Sequence, residues 1–334
     1  MKAWQIVSPD GIDALKCADV EGSVPAAGEV RVRMRANAIN FRDLMTVRDP
    51  VSRRLPYPRI PNSDGAGEVI AVGPGVTAVK TGDRVASCFF QHWQDGPCST
   101  QAMASALGGA LDGVLAEEVN LAADGVVVVP PHLSFTEAAT LPCAALTAWN
   151  AIVECGRVKA GDTVLLLGTG GVSIFALQFA LMLGARIIIT SSSDEKLARA
   201  REMGASVTIN YRTRPDWENA VLEATDGQGI DLTVEVGGAG TLPRSITATR
   251  VAGTIALIGV LTGGQFDPAS FMRKSIRIQG IYVGSRRMFQ DMNRAITLHG
   301  MKPVIDRTFA FTDARLAYHT MAAAGHFGKL VIEI

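Results

Sequence analysis

Residues 163–190 read TVLLLGTGGVSIFALQFALMLGARIIIT, and Arg186 is their only charge. A hydropathy window flags such a run as a membrane span. Its composition argues otherwise. Two short β-rich runs, VLLL and RIIIT, bracket a middle broken by glycines, which is wrong for one continuous helix. A strand–helix–strand unit buried on both faces explains the same apolar residues. The stretch is therefore expected inside a globular protein, with no membrane partner.

Downstream the alternation continues. RIIIT leads to a helix DEKLARAREM stopped by Gly204, and VTIN leads to a helix around PDWENAVLEA with Pro215 in its first turn. DLTVEV leads to GTLPRSITATR and then to TIALIGV. Strands separated by helices of this length predict βαβ units and a doubly wound parallel sheet, an α/β fold. Upstream the texture differs. Residues 1–130 are β-rich, with MKAWQIV, EVRVRMRANAI, GEVIAVG, DRVAS and VVVV separated by Gly, Pro and Asp turns, which suggests a compact, barrel-like second domain. Ser134 and Glu137 form an S-x-x-E capping box that opens a helix through LPCAALTAWNAIVEC. The expected division is a β-rich part over 1–130, a doubly wound domain over 131–284 and a return to the first domain over 285–334. SIRIQGIYVG (275–284) reads as a late strand, and a helix from Ser285 to about His299 ends at Gly300.

The chain has 334 residues, 32 basic and 32 acidic, so its formal net charge is zero. A nucleic-acid backbone binder needs a basic field, and none is present. The cysteines, Cys17, Cys88, Cys98, Cys143 and Cys155, are odd in number and form no C-x-x-C, so neither a disulfide framework nor a zinc ribbon is suggested. The start, MKAWQIVSPDG, has no signal-peptide pattern, and a cytoplasmic location is the expectation.

Gly168, Gly170 and Gly171 sit between the strand VLLL and the helix that follows, with Ser173 where a third small residue belongs. A tight turn, close backbone approach and a helix N-terminus together suit a dinucleotide pyrophosphate. At the end of RIIIT stand Ser191, Ser192 and Ser193, where an NAD-selective site places a carboxylate. Lys196 and Tyr211 follow. Hydroxyls, an ammonium and a phenol suit the 2′-phosphate of NADPH; the rival reading is an ordinary helix cap with a solvated lysine.

These residues resemble the medium-chain dehydrogenase/reductase superfamily, close to its zinc-free quinone-oxidoreductase-like branch. The marks are NAINFRDLM (37–45), PNSDGAGEVIAVGPGV (61–76), GDRV (82–85), LPCAALTAWNAI (141–152), GDTVLLLGTGGVS (161–173), SSSDEKLARAREMGA (191–205), INYR (209–212) and GKLVI (328–332). The resemblance implies a Rossmann domain, a partly open, GroES-like catalytic domain and hydride transfer in a cleft between them. It also implies roles position by position. Asn40 and Thr147 fall near the nicotinamide or substrate, and Gly170, Gly171 and Val172 at the pyrophosphate. Ser191, Lys196 and Tyr211 fall at the 2′-phosphate. Gly259, Val260, Val283, Gly284 and Ser285 line the nicotinamide, and Lys329 is a basic group at the substrate end. Each has a structural alternative: Asn40 bonding backbone, Thr147 capping a turn, Lys329 on the surface. Where the family carries its zinc ligands, this chain reads Asn40-Phe41-Arg42-Asp43 without a Cys and Ser63-Asp64 in place of His-Glu; only Cys143 matches, and one thiol does not make a catalytic zinc site. No metal is expected.

The expected activity is NADPH-dependent hydride transfer to a small activated carbonyl, enone or quinone. The alternatives are an alcohol dehydrogenase using NAD(P) and, ranked lower, a non-catalytic cofactor-binding protein. Without metal, hydrogen-bond donors such as Asn40 and Thr147 must hold the developing oxyanion. Tyr57 and Arg42 are candidate proton donors. The five histidines show no metal-ligand spacing, and His92-Trp93-Gln94 either lines the substrate site or anchors a loop. The apolar strand 275–284, lacking edge-protecting devices, is expected to pair with its twin in a homodimer.

Overall fold

The β-branched and leucine runs become strands, and the amphipathic stretches between them become helices. In the computed structural model, which describes all 334 residues, contacts divide the chain into one unit of residues 1–146 with 283–334 and another of residues 147–282. The second unit contains β1 (Thr163–Leu167), α1 (Gly171–Met182), β2 (Arg186–Ser191), α2 (Asp194–Glu202), β3 (Val207–Asn210), α3 (Trp217–Ala224), β4 (Ile230–Glu235), α4 (Leu242–Ala248), β5 (Thr249–Leu257) and β6 (Arg277–Gly280). All six strands are parallel, in the order β3-β2-β1-β4-β5-β6. This is the doubly wound dinucleotide-binding topology. The apolar run at 163–190 is β1, α1 and β2, and no helix in the chain is long and apolar enough to cross a membrane. Leu165, Ile188, Ile209, Trp217, Val221 and Ile230 form a core on one face of the sheet.

Three local readings change. Pro215 lies before the α3 cap Asp216, not in the first turn, and its carbonyl accepts from the Arg244 guanidinium. The fifth strand begins at Thr249 and stops at Leu257, because Gly259 packs its backbone against Val236. The late strand is β6 alone, four residues rather than ten, flanked by the left-handed residues Ser275 (φ 51°) and Val283 (φ 58°).

In the first unit the eleven-residue strand Glu29–Ile39 is the organiser. It pairs antiparallel with Asp64–Val72 on one edge. The other edge is shared by Glu118–Ala122 and the terminal strand Lys329–Glu333, with Leu330 opposite Ile39. The seven-stranded sheet is mixed and its path does not close into a barrel. Alternation along the long strand serves two cores, Val30, Val32 and Met34 in one and Ile39 with Leu44, Tyr318, Leu330 and Ile332 in the other. The capping box forms as read: Ser134 Oγ accepts from Glu137 N at 3.1 Å, and Glu137 Oε2 accepts from Ser134 N at 2.7 Å. The short helix it opens, Phe135–Ala138, packs on the strands at 29–39 and 64–72, which carries the first boundary to residue 146 rather than 130.

The expected long helix over 141–155 is instead α-helical only at Leu146–Trp149, between π-helical segments Leu141–Ala145 and Asn150–Cys155. Pro142 has no N–H to give, and the Cys143 N–H is taken by Asp64, so the ordinary ladder is lost there. The helix Arg286–His299 is capped by Ser285, which accepts from Met288 N, and it ends at left-handed Gly300 (φ 59°).

Gly67 lies where Asp64–Val72 crosses the long strand at a register shift, and an added Cβ there would sit 2.1 Å from the Arg33 carbonyl oxygen. Gly67→Ala should cost about 1–3 kcal/mol in urea unfolding, because backbone rather than a flexible side chain must move. Wild-type stability in that variant would contradict the packing.

Candidate functional site

In the second unit the site begins where β1 meets α1. Gly168 has φ 71°, a conformation that favours glycine, and its N–H reaches Thr190 Oγ1 at 3.4 Å. Gly170 caps α1 in extended conformation (φ −78°), followed by Gly171 and Val172 in the first turn. A Cβ built on Gly168 or Gly170 meets no atom within 4 Å, so open space faces the half-buried N-terminus of α1. Backbone N–H groups and helix dipole there suit a pyrophosphate. Ser173 is not a weakened glycine position: buried, it donates from Oγ to Leu167 O at 2.7 Å and ties α1 to β1.

The next strand ends bring the second polar group together. Ser191 is buried at the end of β2, and its carbonyl accepts from Tyr211 N at 3.0 Å, setting Tyr211 beside it at the end of β3. Ser193 caps α2 by accepting from Lys196 N at 3.3 Å. The nearby carboxylate, Asp194, accepts from Asn210 Nδ2 at 2.7 Å. Backbone bonds thus bring Ser191, Ser193, Lys196 and Tyr211 to one end of the sheet, beside the Asp194 carboxylate.

Sequence reasoning missed Glu235, fully buried at the end of β4. Its Oε1 accepts from Gly237 N at 2.7 Å, Gly238 N at 3.0 Å and Thr241 Oγ1 at 2.7 Å, and its Oε2 from Ser245 Oγ. It holds the turn against which Gly259 packs; a Cβ on Gly259 would lie 1.7 Å from Val236 O. Val260 beyond it is exposed. This turn lies beside the point where strand order reverses, between β1 and β4, and ligands of such sheets bind at that crevice. A carboxylate inside a strand end gave no sequence signal. Thr147, the first residue of this unit, is buried in its helical turn.

In the first unit, Asn40 closes the long strand and caps the helix Phe41–Arg48, its N–H donating to Asp43 Oδ2 at 2.9 Å. Lys329 is not a surface residue. It is 3% exposed, and Nζ donates to Asn40 Oδ1 at 2.5 Å and Ile39 O at 2.9 Å. Asp64, also buried, accepts from Cys143 N at 3.0 Å and from Ser63 Oγ at 2.6 Å. Burial raises its carboxyl to about 6, against the opposing pull of Lys329 and with Asp43 adding to the rise. Burial and the neighbouring Asp64 also push the Cys143 thiol well above its usual range. Asn40 Nδ2 is buried near Asp64 yet makes no hydrogen bond of ordinary geometry.

The candidate proton donors fare differently. Arg42 is committed, donating to Leu107 O at 2.6 Å and stacking 4.3 Å from the Phe89 ring centre, so it is not a mobile acid. Tyr57 is 42% exposed and shares no hydrogen bond with the Asn40 group. His92-Trp93-Gln94 is a loop anchor: Trp93 Nε1 donates to Gly96 O at 2.9 Å and Gln94 Nε2 to Asp124 O at 3.0 Å. Val283 and Gly284 are buried before the capping Ser285, whose hydroxyl serves its own helix.

Zinc does not fit these residues. No three His, Cys, Asp or Glu side chains are placed to hold a metal ion. The matched ligand positions offer a carboxamide whose oxygen already accepts from an ammonium and a thiol held protonated. A divalent ion there would meet a cation in place of a lone pair.

Two outcomes follow from this geometry. Gly170→Val should unfold at the wild-type temperature, since its Cβ enters open space, while dinucleotide binding measured by fluorescence titration is lost. Binding at wild-type affinity would remove the turn from the site. Asp64 provides the second. Between its ordinary 3.8 and about 6 the folded protein keeps a proton that the unfolded chain has lost. Its contribution to stability is full below that window and disappears as pH rises through it. Relative to Asp64→Asn, the wild-type unfolding free energy should fall by on the order of 3 kcal/mol from about pH 4 to pH 7. Parallel pH curves for the two proteins would contradict the burial.

Comparison with known proteins agrees with this architecture. A zinc-binding dehydrogenase model matches residues 171–298, and an alcohol dehydrogenase GroES-like domain model matches residues 26–131. A zinc-type alcohol dehydrogenase-like protein of Schizosaccharomyces pombe is 42% identical over 97% of this chain and 96% of its own. The quinone oxidoreductase of Pseudomonas aeruginosa is 30% identical over 99% of both chains. The crystal structure of an NAD-dependent alcohol dehydrogenase superposes with a TM-score of 0.92 at 33% identity, covering 100% of each chain. With both family models in order along the chain and relatives matched end to end, the chain belongs to the medium-chain dehydrogenase/reductase superfamily and is an oxidoreductase of that family.

Proposed function

We propose that the chain is an NADPH-dependent oxidoreductase that transfers hydride to a small activated carbonyl, enone or quinone without a catalytic metal. The observation that carries this reading is the Lys329 ammonium seated on Asn40 Oδ1 at 2.5 Å, in the motif where the family resemblance leads one to look for a metal-binding Cys. A bound dinucleotide supplies the hydride. Residues of the chain do the rest: Gly168, Gly170, Gly171 and Val172 receive the pyrophosphate, and Ser191, Lys196 and Tyr211 receive the 2′-phosphate. The Asn40 Nδ2, buried beside Asp64 with no hydrogen bond of ordinary geometry, is a donor for the oxygen on which charge develops. Conjugated acceptors spread that charge and suit a site whose stabilising groups are hydrogen-bond donors. The chain's likeness to a quinone oxidoreductase supports the same substrate class.

Cofactor preference discriminates most sharply, because a similar structure is described as NAD-dependent. Ser191 leaves no carboxylate to repel a phosphate at the end of β2, and a charge-assisted hydrogen bond is worth about 1.5–3 kcal/mol. Lys196→Ala should raise the KM for NADPH about ten- to a hundredfold and leave NADH almost unchanged. Ser191→Asp should move preference toward NADH. The test is initial-rate NADPH and NADH oxidation over a panel of quinones, enones and aldehydes. Equal use of both cofactors, or equal losses for both in Lys196→Ala, would overturn the NADPH assignment.

We also propose a homodimer through β6, an edge strand bonded only to β5. Sedimentation at micromolar concentration should give twice the chain mass, and a monomer would contradict the pairing.

A further inference from the structure

We infer that Lys329 is a positioning residue that stands in the metal's stead, locking the Asn40 carboxamide so that its amide nitrogen is presented as a hydrogen-bond donor. The inference rests on the proposed function for its kinetic consequence and on geometry for the rest.

An ammonium has three donors and no acceptor, so the atom of Asn40 that meets Lys329 Nζ must be the oxygen. The orientation of a carboxamide is otherwise ambiguous, because oxygen and nitrogen have nearly the same shape. Here chemistry fixes it: Oδ1 accepts from Nζ at 2.5 Å, and Nδ2 is left as a buried donor on the Asp64 side, with no hydrogen bond of ordinary geometry to take up its N–H groups. Lys329 is itself held from several sides. Nζ donates to Ile39 O at 2.9 Å, its backbone N–H donates to Val304 O at 3.0 Å, and the next residue, Leu330, is paired opposite Ile39. The charge is balanced locally, since Asp64, whose titration Lys329 influences, and Asp43 are both buried in the same group. Lys329 also acts electrostatically on Asp64 and Cys143, so one cation touches Asn40 and influences two titratable neighbours of the group. A metal would supply positive charge directly to a substrate oxygen. In this chain the cation instead orients a neutral donor.

The test combines a readout of ligand-free protein with kinetics. In protein labelled with 15N-asparagine, the Asn40 carboxamide pair is identified by its disappearance in Asn40→Ala. Lys329→Met should shift or broaden that pair, and Lys329→Arg, which keeps a donor-only cation, should restore it in part. If Lys329→Met fails to fold by circular dichroism, Lys329→Gln is read in its place, with the same shift expected. In turnover of an enone, Lys329→Met should lower kcat about a hundredfold, while the NADPH dissociation constant stays within about twofold of wild type. The double variant with Asn40→Ala should lose no more than the worse single variant, because the two act as one unit. An unmoved Asn40 signal in a folded Lys329 variant overturns the inference. Additive kinetic losses, or weakened NADPH binding with kcat preserved, overturn it as well by assigning Lys329 an independent or cofactor-holding role. If wild type neither binds NADPH nor turns over, the proposed function fails, and the carboxamide signal still decides the positioning role.

Discussion

One buried hydrogen bond, from the Lys329 ammonium to Asn40 Oδ1, constrains much of the first unit. An ammonium removed from water is costly unless paired and hydrogen-bonded, and breaking a buried pair costs more than never having formed it. The chain meets this demand with Ile39 O, Asn40 Oδ1 and two buried carboxylates, Asp43 and Asp64. Delivering the lysine there requires the last strand, Lys329–Glu333, to cross back and pair with Glu29–Ile39. Holding Asp64 there takes the Cys143 N–H, which contributes to the departure from α-helix geometry at 141–145. The sheet edge, the helix cap at Asn40 and the π-helical turn thus meet around one buried cation.

The second unit solves a different problem with backbone alone. Open space above Gly168 and Gly170, with the start of α1 behind it, needs no charged side chain to attract phosphate. Glu235 does the complementary work. A carboxylate with four donors and no cation organises the turn after β4 so that Gly259 can pack directly on the Val236 backbone. The two units therefore present different groups, open backbone at a helix start in one and a buried carboxamide held by a lysine in the other.

What was legible in the sequence was what is local. The glycine turn, the Ser134–Glu137 capping box and the Ser285–Gly300 helix are all specified within a few residues, and each forms as read. The hydrogen bond between Lys329 and Asn40 was not legible, because the two residues are 289 apart and no periodicity joins them. Lys329 read by composition is a surface cation; only the terminal strand's register makes it a buried one. Glu235 was invisible for the same reason, since its partners are N–H and O–H groups brought to it by a turn. Arg42 was overvalued as a free acid because its contacts, Leu107 O and Phe89, come from distant segments.

We propose an oxidoreductase in which Lys329 and Asn40 act without a catalytic metal. The most direct measurement is NADPH-dependent reduction of an enone by protein dialysed against chelator, with zinc determined by elemental analysis on the same sample. Turnover at the undialysed rate with well under one zinc per chain is the predicted result. A stoichiometric zinc whose removal abolishes turnover and whose return restores it would contradict the account.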